Sequence, residues 1–157
     1  SNLYSFNKHE CEKSVLKKGG TVLRFTNVYG NVPKKNTLIS DIIKKTNLSE
    51  KIIIKEAELK RDFLWIDDAI DSIYKSCQLR PNAIINIGTG KPTSIYELYN
   101  LFLKNLFEKN EKKLLIESSQ KDSCLVVDNS KAMDILKWSP KTSISGGIKN
   151  IIHEMKL

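Results

Sequence analysis

Apolar residues along this chain follow two different periods, which predict a protein of alternating strands and helices. In the helical stretches they recur every three or four residues, as Ile95, Leu98 and Leu101 do, whereas the strand stretches are short apolar runs such as Ile52 to Ile54. The predicted helices cover residues 3 to about 18, 37 to 47, 67 or 68 to about 79, 94 to 107, 129 to 137 and 144 to 155. The predicted strands cover residues 21 to 25, 52 to 54, 63 to 66, 83 to 87, 114 to 116 and 125 to 127. This order predicts the α/β class with some parallel pairing, and residues 1–157 form a single partial unit without internal repeats.

Turn residues mark the ends of several predicted elements. Gly19-Gly20 follows the first helix, which we expect to be amphipathic, at the position where a left-handed residue closes a helix. Asp62, Asp67 and Asp68 are predicted to be helix caps and loop anchors, not metal ligands. Gly88-Thr89-Gly90-Lys91 lacks the additional glycine that either nucleotide-binding fingerprint requires, so we predict a simple turn there.

Tyr4 and Lys8 are the first pair of residues along the chain that could take part in proton transfer. Residues four apart on a helix share a face, so the ammonium of Lys8 can stand beside the phenol of Tyr4 and lower its pKa. A tyrosine tuned in this way can exchange a proton with a sugar hydroxyl near neutral pH. The spacing also occurs by chance in many helices, and its interpretation depends on the segments that follow.

Those segments form an ordered series. They are Leu23-Arg24-Phe25-Thr26-Asn27-Val28-Tyr29-Gly30, Arg61-Asp62-Phe63-Leu64-Trp65-Ile66-Asp67-Asp68, Asn86-Ile87-Gly88-Thr89-Gly90, and Asp128-Asn129-Ser130-Lys131-Ala132 followed by Trp138 and Pro140. With Tyr4 and Lys8 in front of them, they resemble the C-terminal half of an extended short-chain dehydrogenase/reductase of the NAD-dependent nucleotide-sugar epimerase and dehydratase family. The resemblance runs from residue 4 to about residue 155. It implies the last parallel strands of a Rossmann-type fold together with a small α/β substrate-binding region.

The resemblance also implies roles for individual side chains. Tyr4 would exchange a proton with the sugar hydroxyl or keto oxygen, and Lys8 would lower the pKa of Tyr4 and contact the nicotinamide ribose, so both residues are catalytic and cofactor-binding candidates. Asn27 and Arg61 would contact the diphosphate of a nucleotide-diphosphate sugar, because an amide offers two donors and a guanidinium binds phosphate bidentately. Asn27 could instead only hold the turn before Gly30.

Three smaller expectations follow from the same resemblance. Arg24 is predicted to brace the fold through a salt bridge. Asn86 would be structural, and Gly88 would be a position of close approach at the edge of the substrate pocket.

The stretch from Glu117 to Asp128 departs from the family pattern. Relatives usually carry an Arg-Pro-Gly-Asp run before the Asp-x-Ser-Lys-Ala element, and its arginine grips the diphosphate, whereas this stretch contains no arginine. Lys121 could substitute as a point charge, although it cannot bind bidentately. Either the ligand differs or it is bound more weakly.

The cofactor turn of the family, Gly-x-x-Gly-x-x-Gly, does not occur in residues 1–157. Without it nothing in this chain holds the pyrophosphate of NAD or NADP, so we expect the chain alone to be inactive and the N-terminal cofactor-binding half to be missing. The alternatives are a non-catalytic remnant or sugar-nucleotide-binding module, and an extended reductase of a non-sugar substrate. By analogy with the family we also expect a homodimer.

Composition limits the partners and the location that we expect for this protein. The net charge of +8 comes from lysines scattered along the chain, and no nucleic-acid-binding motif accompanies them, so nucleic acid is not an expected partner. The longest apolar runs fall well short of the ~20 residues that a membrane span needs, which predicts a cytoplasmic protein with no membrane partner. The three cysteines lack metal spacing and are expected to be free and buried or half-buried.

Overall fold

The computed structural model describes residues 3–30, 37–48, 51–107, 113–117 and 123–155. The helices are α1 (Leu3–Lys17), α2 (Leu38–Leu48), α3 (Ile66–Leu79), α4 (Ile95–Leu106), α5 (Ser130–Leu136) and α6 (Ile144–Met155). The strands are β1 (Val22–Phe25), β2 (Asn27–Tyr29), β3 (Lys51–Lys55), β4 (Lys60–Arg61), β5 (Phe63–Trp65), β6 (Ile84–Ile87), β7 (Thr93–Ser94), β8 (Lys113–Glu117) and β9 (Cys124–Leu125). The predicted α/β class is confirmed.

Parallel pairing dominates the described sheets. β1 pairs with β6, β2 with β5 and β3 with β8, all in parallel. β4 lies between β7, which runs antiparallel to it, and β9, which runs parallel. The short strands β2, β4 and β7 were not predicted, because two or three residues are too few to show a period.

β5 connects the two hydrophobic cores. Side chains alternate along a strand, so Leu64 points into one core while Phe63 and Trp65 point into the other. The Leu64 core lies beneath β1 and β6 and is closed by Trp138. The other core is formed by β3 with α2, α4 and α6. Arg61 and Asp62, which immediately precede β5, therefore lie where the two layers meet.

The first helix is confirmed, but the prediction that it is amphipathic is wrong. No residue of α1 is buried, and Leu3, Tyr4 and Phe6 are all exposed. The helix lies against β1 through its partly covered residues Glu12 and Leu16. Gly19 ends the turn after it with φ +76°, as predicted, because glycine tolerates a left-handed backbone.

Buried aspartates anchor loops but do not cap α3. The helix begins at Ile66 behind Trp65, which makes no side-chain cap, so the predicted cap at Asp67 or Asp68 is wrong. Asp68 instead accepts hydrogen bonds from the backbone N–H groups of Lys141 (3.1 Å) and Thr142 (2.9 Å), which holds the segment before α6. Asp67 accepts a hydrogen bond from the Trp65 indole at 2.9 Å. The loop-anchor part of the prediction is confirmed for Asp68, whereas the exposed Asp67 bonds to the end of the preceding strand.

The cysteines are free, as predicted, but their expected burial is wrong. Cys11, Cys77 and Cys124 are all exposed. Cys11 lies on α1, Cys77 on α3 and Cys124 on β9, and in each place the side chain faces solvent.

Candidate functional site

Asp62 is the centre of the site because its buried carboxylate holds the turn after β6. One carboxylate oxygen accepts hydrogen bonds from the Thr89 backbone N–H at 2.9 Å and from the Thr89 hydroxyl at 2.6 Å. The other accepts from the Gly90 N–H at 3.0 Å. Asp62 is 0% exposed, so these three donors replace the water that a carboxylate normally binds. The predicted turn at Gly88 to Lys91 is confirmed, with Gly90 at φ +70°.

The same residue fixes Asn27 through its backbone. The Asp62 carbonyl accepts hydrogen bonds from the Asn27 backbone N–H at 3.2 Å and from the Asn27 side-chain amide at 3.0 Å. Asn27 begins β2 and is exposed, so its amide is oriented by one bond while its oxygen and second N–H face outward. The Asn27 side chain therefore holds the backbone at Asp62, and its contact with a diphosphate stays a prediction.

Gly88 is packed too closely for any side chain, as predicted. A Cβ added there would lie 2.5 Å from Val127 Cγ2 and 2.7 Å from both Asp62 Oδ2 and Thr26 Cγ2. The Gly88 carbonyl accepts a hydrogen bond from the buried Asn129 amide at 2.8 Å. Asn86, predicted to be structural, donates from its amide to the Asp128 carbonyl at 3.4 Å.

Arg61 lies in β4, next to Asp62, with one end of its guanidinium held by protein. Its Nη1 donates to the carbonyls of Lys60 at 2.8 Å and Ser123 at 3.1 Å, and to the Ser123 hydroxyl at 3.3 Å. Among the described residues, no acceptor is within hydrogen-bond distance of Nε or Nη2, and no carboxylate forms an ion pair with this guanidinium. Ser123 had no sequence signal, because its contact with Arg61 joins residues that are 62 positions apart.

Tyr4 and Lys8 meet on α1 as the helical spacing predicts. The Lys8 ammonium lies 5.7 Å from the centroid of the Tyr4 ring. Both side chains are exposed, Tyr4 by 66%. α1 is joined to β1 by Arg24, whose Nε donates to Glu12 at 2.7 Å and whose Nη2 pairs with the second oxygen of the same carboxylate. This confirms the predicted brace, and it keeps the pKa of Glu12 below its ordinary value.

Tyr29 is a second tyrosine near the site, but its environment is the opposite of that of Tyr4. It is buried edge-on against the rings of Phe63 and Trp65. Burial, followed by the negative charge of Asp68, raises the pKa of Tyr29 far above its usual range. Its hydroxyl has no hydrogen-bond partner among the described residues. Tyr29 is therefore a core residue, unsuited to proton exchange near neutral pH.

The predicted site residues fall into two groups. Asn27 and Arg61 come together through Asp62, and Tyr4 and Lys8 come together on α1. Lys121 lies outside the described residues.

This architecture defines an α/β protein of the Rossmann class. A dTDP-glucose 4,6-dehydratase from Bacillus anthracis, solved with NAD, matches 99% of this chain and 52% of its own with a TM-score of 0.82, and at 18% identity it supports the fold alone. The UDP-glucuronic acid 4-epimerase of Bacillus cereus, solved with UDP-glucuronic acid and NAD, is 26% identical and has a TM-score of 0.71, over 87% of this chain and 45% of that one.

Sequence comparison identifies the family. Residues 1–88 match the NAD dependent epimerase/dehydratase family, and the chain belongs to that family. A UDP-glucuronate 4-epimerase from Thermodesulfobacterium geofontis is 31% identical over 139 residues, which cover 87% of this chain and 43% of the relative. The chain spans slightly less than half the length of the curated relatives it matches.

Two further points concern the cofactor and the helices. The family is NAD-dependent, and related solved structures hold NAD. Among the helices in the described part of the chain, none combines the length and the apolar content that crossing a bilayer requires.

Proposed function

We propose that this chain supplies the proton-exchanging tyrosine and the substrate-binding half of an NAD(P)-dependent nucleotide-sugar epimerase or dehydratase. The observation that carries the proposal is the Lys8 ammonium 5.7 Å from the centre of the Tyr4 ring, on a segment that belongs to the family match. The Asn27 and Arg61 arrangement supports it with a second set of polar groups suited to a diphosphate.

Tyr4 exchanges the proton of the reacting sugar oxygen. As the phenolate, Tyr4 takes the sugar hydroxyl proton, and as the resulting phenol it returns that proton to the keto oxygen, because the Lys8 cation nearby stabilises the negative charge of the phenolate. NAD would supply the hydride chemistry at the carbon that bears this oxygen, and Tyr4 and Lys8 would contact its ribose. Tyr4 and Lys8 fit such a cofactor because both are exposed on one helix face and offer donors to a ribose.

Asn27 and Arg61 bind the diphosphate. Arg61 is anchored through Nη1, which leaves Nε and Nη2 without a described protein acceptor, and two parallel N–H groups match two phosphate oxygens. The Asn27 amide, fixed by the Asp62 carbonyl, contributes a further N–H. Lys121 adds positive charge in this proposal, although not the bidentate geometry of an arginine.

Residues 1–157 do not turn over nucleotide sugars by themselves. Their sequence contains no Gly-x-x-Gly-x-x-Gly turn, whose backbone N–H groups would hold the dinucleotide pyrophosphate. We therefore expect calorimetry of this chain with NAD to show no binding. The homodimer stays a prediction that rests on the family, and the cytoplasmic location stays one that rests on the short apolar runs.

Product analysis tests the proposal directly. The gene product that contains this chain is incubated with NAD and one nucleotide sugar at a time. The four sugars are UDP-glucose, UDP-glucuronic acid, dTDP-glucose and CDP-glucose. We expect at least one sugar to be epimerised at unchanged mass or to lose the mass of one water, and the product is identified by NMR and mass spectrometry. If all four sugars are returned unchanged, and an aldehyde or ketone that carries no nucleotide is reduced with NADPH, a non-sugar reductase replaces this proposal.

A further inference from the structure

Two buried aspartates, Asp62 and Asp68, look alike but differ in what their neighbours do. Both carboxylates accept hydrogen bonds from backbone N–H groups that are distant in sequence. The donors to Asp62 are Thr89 and Gly90, and the donors to Asp68 are Lys141 and Thr142. Asp62 is 0% exposed and Asp68 is 4% exposed. Asp62, however, is bonded through its carbonyl to Asn27 and is adjacent to Arg61, whereas Asp68 contacts neither residue.

We infer that Asp62 is a positioning residue that sets the spacing between the Asn27 amide and the Arg61 guanidinium on the substrate diphosphate. This inference rests on the proposed function, because it assumes that these two side chains bind one ligand. It extends that function by assigning diphosphate affinity to a residue that does not contact the ligand.

The backbone of Asp62 connects Asn27 to the residues that support Arg61. Its carbonyl receives both N–H groups of Asn27, and its own N–H donates to the Leu125 carbonyl at 3.1 Å. β9 is thereby aligned with β4, and the Ser123 carbonyl accepts from the Lys60 N–H at 2.9 Å as well as from Arg61 Nη1. A displacement of Asp62 would therefore move Asn27 and the support of Arg61 together.

The carboxylate is what prevents that displacement. Its three bonds tie Asp62 to the Thr89–Gly90 turn, and the turn cannot follow a shift because Gly88 is already in close contact with Val127 and Thr26. Asparagine has nearly the same shape, but its NH2 group would face a backbone N–H donor in place of an acceptor. Asp62→Asn therefore loses either the bond to Gly90 or the two bonds to Thr89, depending on which way the amide turns, and leaves a buried donor unsatisfied.

The test compares Asp62→Asn with Asp68→Asn in the gene product that contains this chain. Calorimetry with UDP, CDP, dTDP and GDP first identifies the nucleoside diphosphate that binds most tightly, and the variants are then measured with it. We expect Asp62→Asn to raise its Kd about tenfold. Asp68→Asn should change the Kd by less than about twofold, because that site shares no partners with Asn27 or Arg61. Both variants should lower Tm, so only the Kd separates positioning from a general structural role.

Two further variants separate failure of the inference from failure of the proposed function. If Asn27→Ala and Arg61→Lys weaken binding while Asp62→Asn binds like the wild type, the positioning role is overturned and the proposed function stands. If no nucleoside diphosphate binds, or if Asn27→Ala and Arg61→Lys have no effect, the diphosphate site and the positioning role are both overturned. Should Asp62→Asn not fold, Thr89→Val removes the 2.6 Å bond from the Thr89 hydroxyl to Asp62 together with the 3.2 Å bond that this hydroxyl accepts from the Lys91 N–H, and its Kd decides the question by the same criteria.

Discussion

The helix that carries Tyr4 and the loops gathered around Asp62 are held in opposite ways. α1 has no buried residue and is attached to β1 through an ion pair between Arg24 and Glu12. Asp62 is completely buried and joins β2, β9 and the turn after β6 by hydrogen bonds. Local helix geometry therefore creates the Tyr4–Lys8 pair, whereas long-range contacts create the Asn27–Arg61 arrangement.

Because of this difference, we expect catalysis and stability to depend on different parts of the molecule. A change at an exposed residue of α1 should alter catalysis and leave stability nearly unaffected. Breaking a hydrogen bond of Asp62 itself should alter stability and ligand affinity together, because the same bonds support both. The following variants test that division in order of decreasing expected effect.

The largest effect is expected from Tyr4→Phe. Loss of the proton-exchanging hydroxyl should lower kcat about 10²- to 10⁴-fold with little change in KM, and Tm should stay constant because Tyr4 is exposed. Tyr74→Phe is the matched control, since Tyr74 is similarly exposed on another helix. Equal activity of the two variants, measured by steady-state kinetics on the substrate found in the panel, would remove Tyr4 from the mechanism.

Gly88→Ala should destabilise the Asp62 region more than any single change in α1. The added Cβ would overlap Val127, Asp62 and Thr26, and such overpacking costs about 1–3 kcal/mol. Gly146→Ala serves as the control, because its Cβ meets nothing closer than the Ser143 hydroxyl at 3.3 Å and helices favour alanine over glycine. Denaturant unfolding measures both, and equal free energies of unfolding would show that the turn is not tightly packed.

Arg61→Lys should affect binding more than stability. A lysine keeps the charge but loses the two parallel N–H donors, so we expect the KM for the nucleotide sugar to rise about tenfold with kcat nearly unchanged. Arg80→Lys at the exposed end of α3 should leave both constants unchanged. A KM for Arg61→Lys that matches that of Arg80→Lys would rule out a bidentate diphosphate contact.

The smallest effect is expected from Glu12→Gln, which breaks the attachment of α1. The Arg24 guanidinium holds the pKa of Glu12 below its ordinary 4.5, so the pair stabilises the fold above that pH and loses its contribution as pH falls through the lowered folded-state value. Solvent screening limits the contribution to at most about 1 kcal/mol. The Tm difference between wild type and Glu12→Gln should thus shrink below pH 4.5.

Glu10→Gln provides the comparison for that experiment. Glu10 pairs with Lys13 inside α1 and makes no described contact with β1. A pH-dependent Tm difference as large for Glu10→Gln as for Glu12→Gln would show that the helix is not held through Arg24.

The sequence predicted what depends on local spacing and missed what depends on distant contacts. The helices and the longer strands follow from apolar periodicity, and the Tyr4–Lys8 pair follows from a separation of four residues. The three-residue β2 and the contact of Ser123 with Arg61 could not be predicted, because each depends on a partner more than 30 positions away. The cap at Asp67 or Asp68 was predicted wrongly because the neighbouring Trp65 indole donates to Asp67, and the distant Lys141 and Thr142 N–H groups donate to Asp68.

The central claim is that Tyr4 acts on the sugar, and Arg61 binds the diphosphate, of one nucleotide-sugar molecule. A crystal structure of the gene product with NAD and the nucleotide sugar identified by the panel measures this directly. We expect the Tyr4 hydroxyl within about 3 Å of the reacting sugar oxygen and the Arg61 guanidinium on the diphosphate of the same molecule. A ligand held by Arg61 while the Tyr4 hydroxyl points into bulk solvent, or lies on the far side of the molecule, would contradict the account.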